Sequence, residues 1–176
     1  MKRSIAVLLV IGIAALAGLG SAWGQEKKIA FSLNAGVQTN FFNFDGESSS
    51  FDRALLTVDG RAGFPLGRNF EISPEVMAVF NYGSLEDFST WVLHPGVMLN
   101  YRSRNFFAGA GAVLPIMFWS GGGDSGSETL RISPKVNIGY SFPNGIQLTA
   151  YYLCWLEEGI GLFDFGFAGL TLGYRF

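Results

Sequence analysis

The stretch FEISPEVMAVFN, residues 70–81, decides the fold because apolar and polar side chains alternate along it. Ile72 and Val76 lie among the apolar positions, and Glu71 and Glu75 lie between them. Successive side chains of a β-strand point to opposite faces. A period of two therefore predicts a strand with one apolar face and one polar face.

The same alternation recurs after Gln25, in segments of about ten residues separated by clusters of Gly, Asn, Ser and Asp. Eight segments cover about residues 29–38, 53–64, 70–81, 90–101, 106–117, 129–142, 146–156 and 165–176. Longer connections at about 39–52, 82–89, 118–128 and 157–164 alternate with short ones at about 65–69, 102–105 and 143–145. Tilted strands of this length cross a bilayer. The pattern predicts an all-β fold, an eight-stranded antiparallel up-and-down transmembrane β-barrel.

Strand charges fall only on the polar face, and they are Asp59, Arg61, Glu71, Glu75, Arg131, Lys135 and Arg175. On the lipid face of a barrel, an Arg or Lys at mid-bilayer costs roughly 2–4 kcal/mol. A soluble barrel would turn the apolar face inward. Its exterior would then carry only these seven strand charges, which are too few to keep it soluble. The charges are therefore expected to face the lumen.

Eight strands leave an interior just wide enough for side chains to fill. A buried charge without a partner is costly, so the seven residues are predicted to form a paired lumen charge network. We expect Lys135 to reach Asp59 and Glu75, and Arg61 to lie close to Glu71. This network closes the lumen in one interpretation, and gates a very narrow path for ions or solutes in the other.

Composition agrees with a membrane location. Only 15% of the residues are charged, whereas 15% are aromatic, and soluble domains carry about 25% charged residues. Many aromatic residues fall near strand ends, as in the girdles at both edges of a membrane barrel. The net charge of −2 gives no reason to expect a nucleic-acid partner.

The N-terminus carries a second signal. Lys2 and Arg3 precede an apolar run over 5–19, and Ala22-Trp23-Gly24 supplies small residues at the −3 and −1 positions. Residues 1–24 are therefore predicted to be a signal peptide, cleaved before Gln25, and residues 25–176 to be the barrel domain. The alternative is an uncleaved helical anchor, since the run is almost long enough to span a bilayer.

Four prolines, Pro74, Pro95, Pro115 and Pro134, fall inside predicted strands. Proline removes a donor from the strand ladder, and a closed barrel has no free edge for it. Bulges or kinks are therefore expected at all four positions.

The sequence offers little for catalysis. Acyl-transfer and hydrolytic sites need a base such as histidine beside a nucleophile, and the single histidine, His94, is expected to point inward and away from lipid. The lone Cys154 leaves no cysteine cluster for zinc. No nucleotide motif is present, so no enzyme activity, cofactor or metal is expected.

The chain ends in Leu170, Leu172, Tyr174 and Phe176, alternating with Thr171, Gly173 and Arg175. Together with the signal peptide and eight amphipathic segments, this ending resembles the small eight-stranded outer-membrane β-barrel family. That family includes OmpX, the OmpA membrane domain and the Opa adhesins, with the OmpW type as a more distant option. The resemblance covers the mature chain at the level of pattern.

The resemblance implies export through the periplasm and integral insertion into the outer membrane lipid. It implies that the barrel-assembly machinery reads Leu170, Leu172, Tyr174 and Phe176. It also implies an envelope-structural or adhesin-like role, with an extracellular ligand bound by the external loops. Two alternatives stay open: a narrow channel for small or hydrophobic solutes and, more distantly, a lipid-modifying enzyme.

Overall fold

The computed structural model describes residues 29–41, 54–80, 88–121, 124–154 and 166–176. The predicted signal peptide and most of the predicted long connections lie outside the described residues. Ten strands are present: β1 Ala30–Phe41, β2 Leu55–Leu66, β3 Phe70–Phe80, β4 Phe88–Ser103, β5 Phe106–Val113, β6 Ile116–Gly121, β7 Asp124–Thr129, β8 Ser133–Ser141, β9 Ile146–Cys154 and β10 Gly166–Arg175. No helix in the described ranges is long and apolar enough to span a bilayer.

The strands form one closed antiparallel sheet that contains eight positions. Strands β1 to β4 follow in order, β4 pairs with both β5 and β6, and β10 returns to pair with β1. Strands β5 and β6 are two parts of one barrel strand, and β7 and β8 are two parts of the next. The predicted eight-stranded up-and-down barrel is therefore confirmed.

The register fixes the tilt of the strands. One circuit of the barrel can be made by starting at Trp91 on β4 and moving from each residue to its paired residue on the next strand. The circuit returns to β4 at Tyr101, ten residues further along the chain than Trp91. A closed sheet with this stagger has strands tilted by roughly 35–45°. Ten residues at about 3.3 Å each then rise roughly 25 Å along the barrel axis, which equals the height of the apolar band of a membrane barrel.

The two ends of the barrel differ. The turn end carries the short connections at 67–69, 104–105 and 142–145, and the opposite end is the loop end. Outward aromatic residues mark both ends. Those at the turn end are Phe31, Phe70, Tyr101, Phe106, Tyr140, Phe142, Tyr174 and Phe176, and those at the loop end include Phe80 and Trp91. Trp91 stacks on Phe118 with ring centroids 4.2 Å apart.

The side chains divide between two faces along each strand. Along β3, residues 71, 73, 75, 77 and 79 are buried and the residues between them are not. Aliphatic side chains cover the outer face, and Leu33, Leu99, Val136 and Leu172 are each at least half exposed. The lumen face instead carries 17 buried polar or charged residues. This is the inside-out arrangement that the charge pattern predicts.

One irregularity separates β5 from β6 and β7 from β8. Two residues, Leu114 and Pro115, lie between β5 and β6, whereas three residues, 130–132, lie between β7 and β8. The extra residue is a β-bulge, and it changes which alternate residues face the lumen. Odd-numbered residues face the lumen in β8, whereas the pairing of β7 with β6 places even-numbered ones there.

The proline prediction is partly confirmed. Pro115 lies in the β5–β6 break, and Pro134 adjoins the bulge. Pro74 and Pro95 do not fit the prediction. Strand β3 keeps one register with β2 and with β4 on either side of Pro74, and β4 keeps one register with its neighbours on either side of Pro95. Two residue pairs of the β2–β3 ladder are missing beside Pro74, so the ladder adapts without a bulge.

The predicted connection at 118–128 is wrong. Strand β6 continues to Gly121 and β7 begins at Asp124, so most of this segment is a hairpin that extends the wall of the barrel. The glycine-rich composition of residues 121–126 favoured a loop. Pairing to β4 and β6 overrides that local preference.

Candidate functional site in the barrel lumen

A cluster of four charges fills the lumen near mid-depth. Lys135 Nζ lies 2.5 Å from Glu75 Oε1, and both side chains are fully buried. Arg61 Nε lies 2.7 Å from Asp59 Oδ1 and 3.4 Å from Glu75 Oε2. Asn34 donates a further hydrogen bond to Asp59 at 2.9 Å. Two acids and two bases thus form one neutral group, which strands β2, β3 and β8 bring together.

Packing around Lys135 closes the remaining space. The Lys135 ammonium lies 4.9 Å from the centre of the Tyr151 ring and 3.9 Å from the sulfur of Met77. Tyr151 donates a hydrogen bond to Gln38 at 2.8 Å, so its ring is fixed from β1, two strands away in the barrel wall. A cation over an aromatic face is attracted by the ring quadrupole. Lys135 is therefore held by an acid, a ring and a thioether, and it is 1% exposed.

A second cluster lies at the turn end around Glu71. Arg175 Nη2 lies 2.6 Å from Glu71 Oε2, and Arg102 Nε lies 3.1 Å from the same oxygen. Ser73 donates to Glu71 at 3.0 Å. The Arg102 guanidinium also lies over the Phe107 ring, 4.7 Å from its centre. Two cations share one acid here, so this cluster carries an excess positive charge.

The sequence-based network needs two corrections. Arg131 does not face the lumen: it is exposed and falls in the three-residue bulge, where the period of two is broken. The expected Arg61–Glu71 pair is also wrong. The β2–β3 register places Arg61 opposite Glu75, and Glu71 bonds to Arg102 and Arg175 instead.

Arg102 was missed because residues 102–105 read as a short turn. Strand β4 extends to Ser103, and even-numbered residues of this strand, such as His94 and Asn100, face the lumen. If the same alternation of even and odd positions continues for two residues beyond Asn100, Arg102 also faces the lumen. The signal was therefore present in the sequence, and only the predicted end of the strand hid it.

Apolar side chains line part of the lumen from mid-depth toward the loop end: Met77, Val79, Val113 and Leu153 are each 3% exposed or less. The buried polar residues Gln38 and Thr57 lie on the same side of the charged cluster. His94, 2% exposed, faces the lumen from β4 opposite Met77, and its Nδ1 has no hydrogen-bond partner among the described residues. Toward the loop end the charged cluster therefore gives way to a mixture of apolar and uncharged polar side chains.

The four C-terminal residues predicted as the assembly signal face outward. Leu170, Leu172, Tyr174 and Phe176 are 50%, 59%, 45% and 74% exposed. Tyr174 and Phe176 pack edge to face with centroids 5.0 Å apart. The Phe176 amide donates to the Phe31 carbonyl at 2.8 Å, so the last residue still belongs to the barrel wall. All four side chains form one row on the outer surface.

In the part of the chain that the structure describes, no three His, Cys, Asp or Glu side chains form a group that could hold a metal ion. Cys154 is a buried free thiol at the loop end of β9.

Comparison with known proteins gives likeness of fold. No family model matches the sequence, and no curated protein matches it. Neisserial surface protein A (NspA) aligns with 84% of this chain and 95% of its own, at 16% identity and a TM-score of 0.54. The N-terminal β-barrel domain of Pseudomonas aeruginosa OprF aligns with 84% and 97%, at 12% identity and a TM-score of 0.53.

A third structure is the Yersinia pestis outer membrane protein Ail in a phospholipid bilayer nanodisc. It covers 85% of this chain and 100% of its own, at 13% identity and a TM-score of 0.50. The chain therefore has the fold of the small eight-stranded outer-membrane β-barrels. The shared feature is the architecture of the whole barrel, which extends over the described strands.

Proposed function

We propose that the protein is an integral outer-membrane barrel without enzymatic activity, whose closed lumen supports the envelope and whose external loops interact at the cell surface. The apolar outer face with its two aromatic girdles supports membrane insertion. In this proposal the outward C-terminal row of Leu170, Leu172, Tyr174 and Phe176 is read by the barrel-assembly machinery, and the surrounding partner is lipid.

The cluster of Asp59, Arg61, Glu75 and Lys135 carries the proposal for a closed lumen. Its shortest ion pair, 2.5 Å, joins β3 to β8 across the interior. Opening a path would separate fully buried opposite charges, which is costly in a medium of low polarity. A neutral, interlocked group is suited to a structural plug.

Conductance of the refolded protein in a planar bilayer tests this proposal. We expect wild-type protein to insert with a conductance close to zero. The same protein should migrate differently on a gel before and after boiling, since a closed barrel resists mild detergent. Steady wild-type conductance would overturn the plug. Identical gel mobility, with recovery in a soluble fraction, would overturn membrane insertion itself.

A second candidate is a narrow path for small or hydrophobic solutes. The apolar side chains of Val79 and Val113, on the loop side of the charged cluster, favour it. On this alternative the charged cluster acts as a gate, and the wild-type protein itself should show channel openings. Glu75→Ala together with Lys135→Ala removes the ion pair that fills the lumen, so it should raise conductance from near zero if the cluster is a plug as well.

A further inference from the structure

Two short turns of the barrel share the sequence Arg-Asn-Phe. Residues 67–70 read Gly-Arg-Asn-Phe and residues 103–106 read Ser-Arg-Asn-Phe. Each phenylalanine starts a strand and pairs with a tyrosine of the next barrel strand: Phe70 with Tyr101, and Phe106 with Tyr140. All four rings are 40–48% exposed on the outer face. Each turn thus presents an arginine and an asparagine directly beside the aromatic girdle.

The polar groups of the two turns bond in the same way. Asn69 donates its side-chain amide to the Tyr101 hydroxyl at 3.3 Å, and Asn105 donates to the Tyr140 hydroxyl at 3.0 Å. Each phenol oxygen accepts this bond and keeps its own O–H proton available to an outside acceptor. Neither Arg68 nor Arg104 forms an ion pair with another described residue. Donors are therefore collected at the rim of the girdle, and no acid in the described ranges neutralises them.

The backbone at Arg104 adopts an uncommon conformation. Its φ is +52°, in the left-handed region, where residues other than glycine are disfavoured by steric contact. The corresponding turn at 67–69 uses Gly67, with φ +85°, for its left-handed residue. An observed outlier of this kind justifies a hypothesis of function.

We propose that each Arg-Asn-Phe turn, with the tyrosine across from it, binds the phosphate of a glycerophospholipid. The arginine supplies paired N–H donors that match phosphate oxygens, and the tyrosine hydroxyl supplies one more. The aromatic rings lie at the level of the headgroups, where acyl chains begin. This inference rests on the proposed membrane insertion, and it places two phospholipid sites on the turn end of the barrel.

The third short turn provides an internal contrast. It reads Pro143-Asn144-Gly145 and lacks an arginine, although Tyr140, Phe142 and Tyr174 surround it. Asn144 turns its side-chain oxygen to the Ile146 amide, 3.2 Å away, rather than donating to a tyrosine. This turn therefore has the aromatic girdle but lacks the arginine of the proposed site. We expect two bound phospholipids on the turn end, one at each Arg-Asn-Phe turn, and none at this third turn.

Native mass spectrometry of the full-length mature barrel tests the proposal, with dioleoyl phosphatidylglycerol and dioleoylglycerol as probes. Wild-type protein should retain two phosphatidylglycerol molecules, at least about tenfold more tightly than dioleoylglycerol, since charge-assisted bonds to phosphate are lost in the latter. Arg68→Ala and Arg104→Ala should each lose one lipid, and the double variant both. The matched control, Asn144→Ala, should keep two.

Arg104→Gly separates binding from turn structure. Glycine relieves the left-handed conformation, so the variant should unfold in urea no earlier than wild type and still lose one phosphatidylglycerol. Earlier unfolding with both lipids retained would mean that Arg104 serves the turn alone, and it would overturn the proposal. Equal lipid counts in all variants, or equal retention of dioleoylglycerol, would also overturn it.

Inorganic phosphate distinguishes the source of the ligand. A phosphate concentration of 10 mM is on the order of the Kd of a weak anion site. Because the acyl chains contribute contacts with the girdle, this concentration of phosphate is expected not to displace phosphatidylglycerol. Displacement would identify a free-anion site and refute lipid binding. A barrel that keeps its heat-dependent gel shift but retains no phospholipid would refute this inference while leaving the proposed membrane insertion intact.

Discussion

Replacing Lys135 with methionine, a side chain of similar length without charge, perturbs the lumen at its most buried ion pair. The change leaves Glu75 and Asp59 with Arg61 as their remaining cation in the cluster, at 3.4 Å from Glu75 and 2.7 Å from Asp59. Breaking a fully buried pair costs on the order of 3–5 kcal/mol. Since Arg61 still compensates part of the charge, a loss of about 3 kcal/mol in the free energy of unfolding is expected.

The double variant Lys135→Met with Glu75→Gln tests the origin of that loss. It removes both charges of the pair and leaves Asp59 with Arg61, so much of the lost stability should return. Arg131→Met is the matched control, because it removes a basic residue on the exposed bulge and should cost less than about 1 kcal/mol.

Urea unfolding in lipid vesicles, followed by tryptophan fluorescence and gel mobility, gives the three free energies. Unfolding of Lys135→Met at the same urea concentration as wild type would refute a stabilising ion pair. A double variant as unstable as Lys135→Met would show that the loss comes from packing rather than from an uncompensated acid.

Two further predictions concern the outer face and the close contacts of the lumen. Phe176→Ser should reduce the yield of assembled barrel far more than Phe106→Ser. Both variants lose packing in the aromatic girdle, but only Phe176 ends the proposed assembly signal. Equal yields of the two variants in the membrane fraction would refute recognition of the C-terminal residues. Gly139→Ala should destabilise the barrel by about 1–3 kcal/mol, because the added Cβ meets the Phe107 ring. Gly60→Ala meets no atom within 4 Å and should change the urea midpoint little, and similar midpoints for both variants would contradict the packing.

The period of two predicted the barrel and assigned the polar faces of most strands, because it reports local backbone geometry. For Glu75 and Lys135, the alternation of polar and apolar positions was sufficient to predict that both side chains face the lumen. It failed at Arg131, where one inserted residue changes the face. A bulge of this kind depends on pairing with a neighbouring strand, and Pro134 indicated only its neighbourhood.

Which acid meets which base could not be predicted from parity. Arg61 and Glu71 both face inward, but the register of the β2–β3 hairpin, set at its turn, places Arg61 opposite Glu75. The predicted turn at 65–69 was two residues too long, so this register was missed. Contacts across the lumen, such as Arg175 with Glu71, depend in addition on the stagger of the whole ring of eight strand positions. The chain therefore specifies the composition of the lumen locally, whereas its pairing depends on the turns and on closure of the sheet.

Closure itself has a kinetic consequence, because it joins the first and last strands of the chain. Ser32 pairs with Arg175 and Phe41 with Gly166, so the contacts of highest sequence separation complete the ring. Non-local pairing carries a large loop-closure entropy before any contact repays it, and such topologies fold slowly. Until β10 arrives, β1 and β9 each expose an unpaired edge, which invites aggregation. The sheet before β10 joins β1 is therefore the folding state of this chain that is most open to aggregation.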